Sequence, residues 1–295
     1  MAANEPIIDL HSHWSTRRGY PLRSDAELKL QAETWRSEVQ YATEEEMADD
    51  LRRANIRSIL DFGFTKFVPI DEARKLHDYA FEMQRRHSDV VIGNWFHFQP
   101  ELGEPALAEF RRCLDQGSGF VGLAVSGSGG VPSSDPAYEP FYRLCIEEKV
   151  PALVFVGHVG LGAGLRGGMG IVLDHCHPRH LDLVAARYPD LTIVAARPAW
   201  PWQTEMISVM LHKANVWCEL HGWSPKYFTA DLKHEIPRRL KDRIMFGADY
   251  PLLSYERLLK EWDDLQLPPA VLEGVLRGNA KRFFSEVRAG NGLGA

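Results

Sequence analysis

Eight short apolar segments recur along the chain, each separated from the next by a stretch of helical character. This alternation constrains the fold more than any other feature. The segments read as strands at about 6–12, 56–62, 90–97, 120–126, 152–157, 191–196, 216–220 and 243–248. They are apolar along most of their length rather than at alternate positions. Strands of that kind are buried on both faces, as in a parallel sheet covered by helices. Helices are predicted between them at about 43–54, 70–87, 105–116, 137–148, 179–188, 202–213 and 229–240. Three more follow in the tail, at 255–264, 269–276 and 278–288. Thr43-Glu44-Glu45-Glu46 opens the first helix as a capping box, in which the Thr43 hydroxyl and the Glu46 carboxylate each satisfy a free backbone N–H. Eight βα units over about 250 residues favour a barrel over a doubly wound open sheet. The expected fold is therefore α/β, a single (β/α)8 TIM barrel with extra C-terminal helices, one domain over 1–295. A polar stretch at 14–42, carrying Trp14, Arg17, Arg18, Tyr20, Trp35 and Arg36, reads as an insertion after strand 1, part loop and part helix, lying over the site.

Composition narrows the function classes. Hydrophobic residues make up 45% of the chain and charged residues 25%, the balance of an ordinary globular protein. The net charge of −6, with no basic cluster, argues against nucleic acid as a main partner. The first residues, Met1 to Pro6, lack the basic and apolar blocks of a signal peptide. The most apolar stretch, Val150 to Leu165, is glycine-rich and interrupted by His158, so no membrane span is expected. Cys113, Cys145, Cys176 and Cys218 lie far apart with no CxxC, and read as reduced thiols of a cytoplasmic protein.

A barrel of this kind carries its site at the C-terminal ends of the strands. Strand 1, Ile7-Ile8-Asp9-Leu10-His11-Ser12-His13, ends in His-x-His, and period-two alternation turns both imidazoles to one side. Strand 5 runs into His158, and strand 8 runs into Asp249 within Phe246-Gly247-Ala248-Asp249-Tyr250-Pro251. Three imidazoles and a carboxylate at one barrel mouth suit a divalent metal, Zn above Mn or Fe, with a position left for water or substrate. Strand 6 runs into Arg197 and strand 7 into His221. Arg197 is read either as a pocket residue or as a structural partner of Glu205 or Glu219. His175 and His177, flanking Cys176, read as a surface pair before a helix, and His97 either faces the pocket or sits between aromatics. Seven glycines between 157 and 170 form no phosphate-binding pattern and suit a lid. Trp200, Trp202, Trp223 and Tyr227 follow strands 6 and 7, where they would wall an aromatic substrate or bury a subunit interface.

These motifs together resemble the amidohydrolase superfamily, in the branch of decarboxylases, lactonases and hydratases of small carboxylic acids. The resemblance spans almost the whole chain. It rests on Asp9 to His13, on Ala152 to Gly160, on Pro178 to Leu191, on Phe246 to Pro251 and on Asn279 to Phe284. It implies that His11, His13 and His158 ligate one divalent metal, and that Asp249 ligates it or acts as base on activated water. Strand 4 departs from the dinuclear members: Gly122-Leu123-Ala124-Val125-Ser126 offers no bridging lysine or glutamate. A second departure follows strand 6, where a family histidine is replaced by Arg197 in Ala195-Ala196-Arg197-Pro198. An arginine stays protonated and cannot serve as base, but it can grip a carboxylate or an oxyanion. Proton transfer then falls to Asp249, His221 or His177, in that order.

The expected activity is metal-dependent hydrolysis of a small, aromatic or ring-derived carboxylic acid, lactone or amide. Asp249, Arg197 and His221 would be catalytic, and Arg197, Trp200, Trp202, Trp223 and Tyr227 would bind substrate. Non-oxidative decarboxylation is the alternative. A third possibility is an accessory subunit of a heteromeric, hydroxylase-type complex. A homodimer, or a hetero-oligomer with a homologous chain, is expected.

Overall fold

The structure, a computed structural model, describes residues 5–20, 24–35, 41–62, 67–117 and 119–287. Eight strands form one sheet in the order β1 to β8: β1 Ile7–His13, β2 Ile56–Asp61, β3 Val91–Phe96, β4 Phe120–Val125, β5 Ala152–Phe155, β6 Ile193–Ala196, β7 Val216–Glu219 and β8 Ile244–Met245. Each strand pairs in parallel with the next. The sheet closes on itself through the segment after β8. Leu10 donates to the Phe246 carbonyl at 3.0 Å, and the Ala248 and Asp249 N–H groups converge on the His11 carbonyl at 3.1 and 2.9 Å. This is the expected (β/α)8 barrel.

The helices are α1 Asp25–Trp35, α2 Glu44–Arg53, α3 Ile70–Arg86, α4 Glu104–Asp115, α5 Glu139–Glu148, α6 Pro178–Arg187, α7 Gln203–His212, α8 Ala230–Glu235, α9 Tyr255–Asp263, α10 Pro269–Glu273 and α11 Asn279–Glu286; α2 to α11 fall in the expected segments, with α8 ending short of 240. A π-helical turn, Gly274–Gly278, joins the last two. Helix α1 falls within the polar stretch 14–42; Arg36 lies outside the described residues. Among the described residues no helix is long and apolar enough to cross a membrane.

The core has two layers. An outer layer packs helices on the strands, with Leu51, Tyr79, Phe110, Leu181 and Met206 among its members. An inner layer fills the barrel with Ile8, Leu10, Ile59, Trp95, Leu153, Val194 and Met245. Helix α11 adds Ala280, Phe283 and Phe284 to this inner layer, and the Phe283 ring meets Trp217 at 5.5 Å. An apolar plug therefore fills the N-terminal end of the barrel.

One irregularity shapes the site. The pairing of β1 with β2 shifts register between Asp9 and Ser12. At that bulge the Asp9 carboxylate accepts the His11 N–H at 3.0 Å and the Ala248 N–H at 3.0 Å. Leu10 fills the inner core, yet the next residue, His11, also meets inner-layer Phe155, ring to ring at 5.4 Å. The bulge is what lets consecutive residues face the axis.

Candidate metal centre

His11 and His13 end β1 with ring centroids 5.1 Å apart, nearly perpendicular. Asp249 comes to them from beyond β8, its Oδ1 3.0 Å from His13 Nε2. These three side chains form a group close enough to share one cation. Asp249 has φ 64° and Arg197 φ 83°, a left-handed backbone that L-residues seldom adopt. Strain of that kind, about 1–3 kcal/mol per residue, is kept where a side chain must be aimed. Gly222 leaves the room Asp249 needs, since a Cβ there would stand 3.0 Å from Asp249 Oδ2.

The second group is built from β2, β3 and β7. Asp61 ends β2 and is buried between two imidazoles, its Oδ2 3.4 Å from His11 Nε2 and its Oδ1 2.9 Å from His97 Nε2. Glu219 ends β7 and takes the His221 N–H at 2.8 Å on one oxygen, while His221 Nδ1 meets the other. Gly247 makes space for that carboxylate; a Cβ would lie 2.2 Å from Glu219 Oε2. His221 stacks on His11 at 3.7 Å, and its Nε2 accepts Arg197 Nε–H at 3.1 Å. A guanidinium only donates, so His221 carries its proton on Nδ1, toward Glu219.

Arg197 completes the mouth. Its Nη1 donates to the His158 carbonyl at 2.8 Å and its guanidinium lies over the Phe155 ring at 5.1 Å. It pairs with neither Glu205 nor Glu219: Glu205 faces His177 at 3.2 Å, and Glu219 holds His221. His158 stands at the end of β5 but outside the groups just described. Its ring lies edge-on to Trp200 at 5.7 Å, and Trp200 meets Trp223 at 5.2 Å. Trp202 packs on His177 at 4.6 Å, and Tyr227 is 59% exposed with Lys226 over its ring. His177 therefore sits between α6 and α7 rather than with the proton-handling groups.

Electrostatics separates the roles. Burial, followed by His221, pushes the His11 pKa well down, leaving the neutral form that a metal ligand needs. Burial also pulls on His13, but Asp249 outweighs it and raises that pKa. Burial opposes charge on Asp249 and Asp61 as well. The imidazoles around each of them win and hold both carboxyls well below the ordinary range. Asp9, by contrast, is pushed up to about 6 by burial, against hydrogen bonds from Ser12, Tyr255 and two backbone amides.

The donor set fits a cation on its own geometry. Among the described residues, His11 Nδ1 and Nε2, His13 Nδ1, both Asp61 oxygens and Asp249 Oδ1 are buried without a well-formed hydrogen bond. Buried polar atoms are nearly always satisfied. Nitrogens and carboxylate oxygens that face one another without hydrogen-bond angles are what a shared divalent ion resolves. His11, His13 and Asp249 are marked in the sequence by their places at strand ends, and Asp61 and Glu219 hold the equivalent places at the ends of β2 and β7.

Fold and site together define a parallel (β/α)8 barrel whose C-terminal mouth gathers histidine and carboxylate side chains that could hold a metal ion. The chain belongs to the amidohydrolase family, whose sequence model matches residues 8–285. No curated protein gives a significant match. Among solved structures it is similar to an uncharacterised TIM-barrel protein from Bordetella bronchiseptica, 19% identical with TM-score 0.74, covering 97% of this chain and 99% of that one. It is similar to a 2,6-dihydroxybenzoate decarboxylase complexed with 2,6-dihydroxybenzoate, at 18% identity and TM-score 0.70, covering 96% and 99%. A third is a 5-carboxyvanillate decarboxylase from Novosphingobium aromaticivorans, complexed with manganese and a nitrobenzoic acid, at 18% identity and TM-score 0.68, covering 96% of both chains.

Proposed function

We propose that the protein is a divalent-metal-dependent hydrolase of a small, aromatic or ring-derived carboxylic acid, lactone or amide. The observation that carries this reading is the set of buried, hydrogen-bond-free nitrogen and oxygen atoms on His11, His13 and Asp249. These residues would hold the ion, with His158 as the further ligand that the strand-5 motif supplies. Zinc suits the donor set, and manganese is the second choice because it occurs in neighbouring structures. A divalent ion supplies Lewis acidity to a carbonyl and lowers the pKa of water toward about 7.

The chain's own residues do the rest. Asp249, whose Oδ1 lies 3.0 Å from His13 Nε2, would either ligate the ion or accept a proton from attacking water. Arg197 uses Nε and Nη1 on the protein, and among the described residues its Nη2 makes no hydrogen bond. That leaves a charged donor for a substrate carboxylate or a developing oxyanion. Trp200, edge-on to His158, and Trp223, 5.2 Å from the Trp200 ring, would offer apolar ring faces. His221, locked by Glu219, keeps Arg197 aimed. The second reading, non-oxidative decarboxylation, is favoured by the decarboxylase neighbours, two of which carry aromatic acids.

Elemental analysis of the reconstituted protein should find about one ion per chain. His13→Ala should lose both the ion and turnover on a panel of aromatic carboxylates, lactones and amides. Evolved CO2 assigns the second reading, and a hydrolysis product assigns the first. A wild-type chain that takes up no divalent metal sinks both.

A further inference from the structure

We propose that Asp61, braced by His97, orients the His11 imidazole toward the cation and supplies the site's second negative charge. This inference rests on the metal-dependent reading of the site.

Among the described residues, four carboxylates are buried around the mouth: Asp9, Asp61, Glu219 and Asp249. Two of them are already committed. Asp9 accepts from Ser58, Tyr255 and two backbone amides at 2.8–3.0 Å. Glu219 spends both oxygens on His221. Asp249 already belongs to the ligand group. Asp61 is what remains of these four: 1% exposed, with neither oxygen in a well-formed hydrogen bond among the described residues.

Its position is specific. Oδ2 faces His11 Nε2 at 3.4 Å, and Oδ1 faces His97 Nε2 at 2.9 Å. His97 ends at a fixed place on the barrel wall, its ring 5.8 Å from Phe155. A buried carboxylate persists only where positive charge or donors compensate it. The His11 and His97 imidazoles meet it on either side, and a divalent ion beside His11 would add to that compensation. Charge balance points the same way. Asp249 supplies one negative charge, and the Arg197 guanidinium at the mouth offsets it. A second carboxylate restores the attraction for a dication. A carboxylate behind a ligating histidine also fixes its ring, and loss of such a partner costs about 10–100-fold in metal affinity.

The test uses the full chain and Mn2+ as probe, with affinity read by competition against a fluorescent chelator and folding read by far-UV circular dichroism. Asp61→Asn keeps the side-chain size and removes the charge; its Kd should rise at least tenfold. His97→Gln frees the carboxylate from its brace and should weaken binding by about fivefold or more. Both variants, loaded with Co2+, should show an altered visible absorption band, which a purely structural role would leave unchanged. A Kd within twofold of wild type in either folded variant overturns the inference. If Asp61→Asn does not fold, His97→Gln decides by the same threshold. Loss of binding in His13→Ala with wild-type binding in Asp61→Asn removes this inference and leaves the metal reading standing. A wild-type chain that binds no Mn2+ overturns both.

Discussion

Arg197 shows how much a single residue can be asked to do. Its left-handed backbone, at φ 83°, turns the guanidinium from the β6 end into the mouth, where Nε and Nη1 are spent on His221 and the His158 carbonyl. Both contacts use the planar fork. A lysine keeps the charge but has a single point of donation, so it cannot make the two bonds and still face a substrate. For Arg197→Lys we expect KM for a carboxylate-bearing substrate to rise by about 10–100-fold, the loss typical of a charge-assisted pair worth roughly 1.5–3 kcal/mol. Metal content should stay at the wild-type level. Steady-state kinetics with parallel metal analysis checks this; an unchanged KM would remove Arg197 from substrate binding. The residue scale is also where the sequence is most uneven as a guide. His11, His13 and Asp249 are legible because strand ends point at one mouth in any barrel. The partnership of Asp61 with His11 and His97, and of Glu219 with His221, is not legible. It depends on which ring each carboxylate meets across neighbouring strands. The bulge at Asp9, which sets how His11 faces, leaves no mark that a single sequence shows.

At the scale of elements, α3 and α4 are joined by one buried carboxylate. Glu109 of α4 takes His77 Nδ1 of α3 at 2.7 Å, Arg112 Nη2 at 2.7 Å and Arg74 Nε at 3.1 Å. Cys113 completes a group that in outline resembles a metal site. Two guanidinium groups on the same carboxylate already neutralise it, and the cluster acts as a clasp between helices. Burial alone would push the Glu109 pKa up, but His77 and Arg112 together bring it down to about 2. A folded-state pKa below the unfolded value gives stability that is complete above about pH 4.5 and is lost as pH falls toward 2. Glu109→Gln should therefore cost on the order of 2 kcal/mol at pH 7, and much less at pH 3. Urea unfolding of both chains at the two pH values measures this, and an equal gap at both would show that the clasp is not electrostatic. Helix starts were easier to read than strand ends. The capping box at Thr43 forms in both directions, Glu46 N–H to Thr43 Oγ1 at 3.2 Å and Thr43 N–H to Glu46 Oε2 at 2.8 Å. Helix α8 stops at Glu235 rather than near 240, because Pro237 has no N–H to return to the preceding turn. The eighth strand pairs with β7 only over Ile244–Met245, since the residues beyond it turn to close the barrel on β1.

The whole molecule divides its labour between the two ends of the barrel. The C-terminal mouth holds buried charge, left-handed backbone and polar atoms without hydrogen bonds, all of which cost stability. The other end holds the plug of α11, with Phe283 fully buried against Trp217 and the inner layer. In a barrel of this architecture the N-terminal end contributes stability and the C-terminal end contributes chemistry. The two ends are linked through the strands and the helices packed on them, and rigid parallel strands transmit little of a local cavity. Phe283→Ala should then cost about 3–5 kcal/mol, the usual loss for emptying an aromatic site in a close-packed core. The folded fraction should bind Mn2+ as tightly as the wild-type chain. The comparison is made by denaturant midpoint alongside metal titration, both below the unfolding transition. If metal affinity falls in step with stability, the barrel is one cooperative unit from plug to mouth. Affinity that holds while stability drops means that the ligand set is positioned by the strand ends themselves.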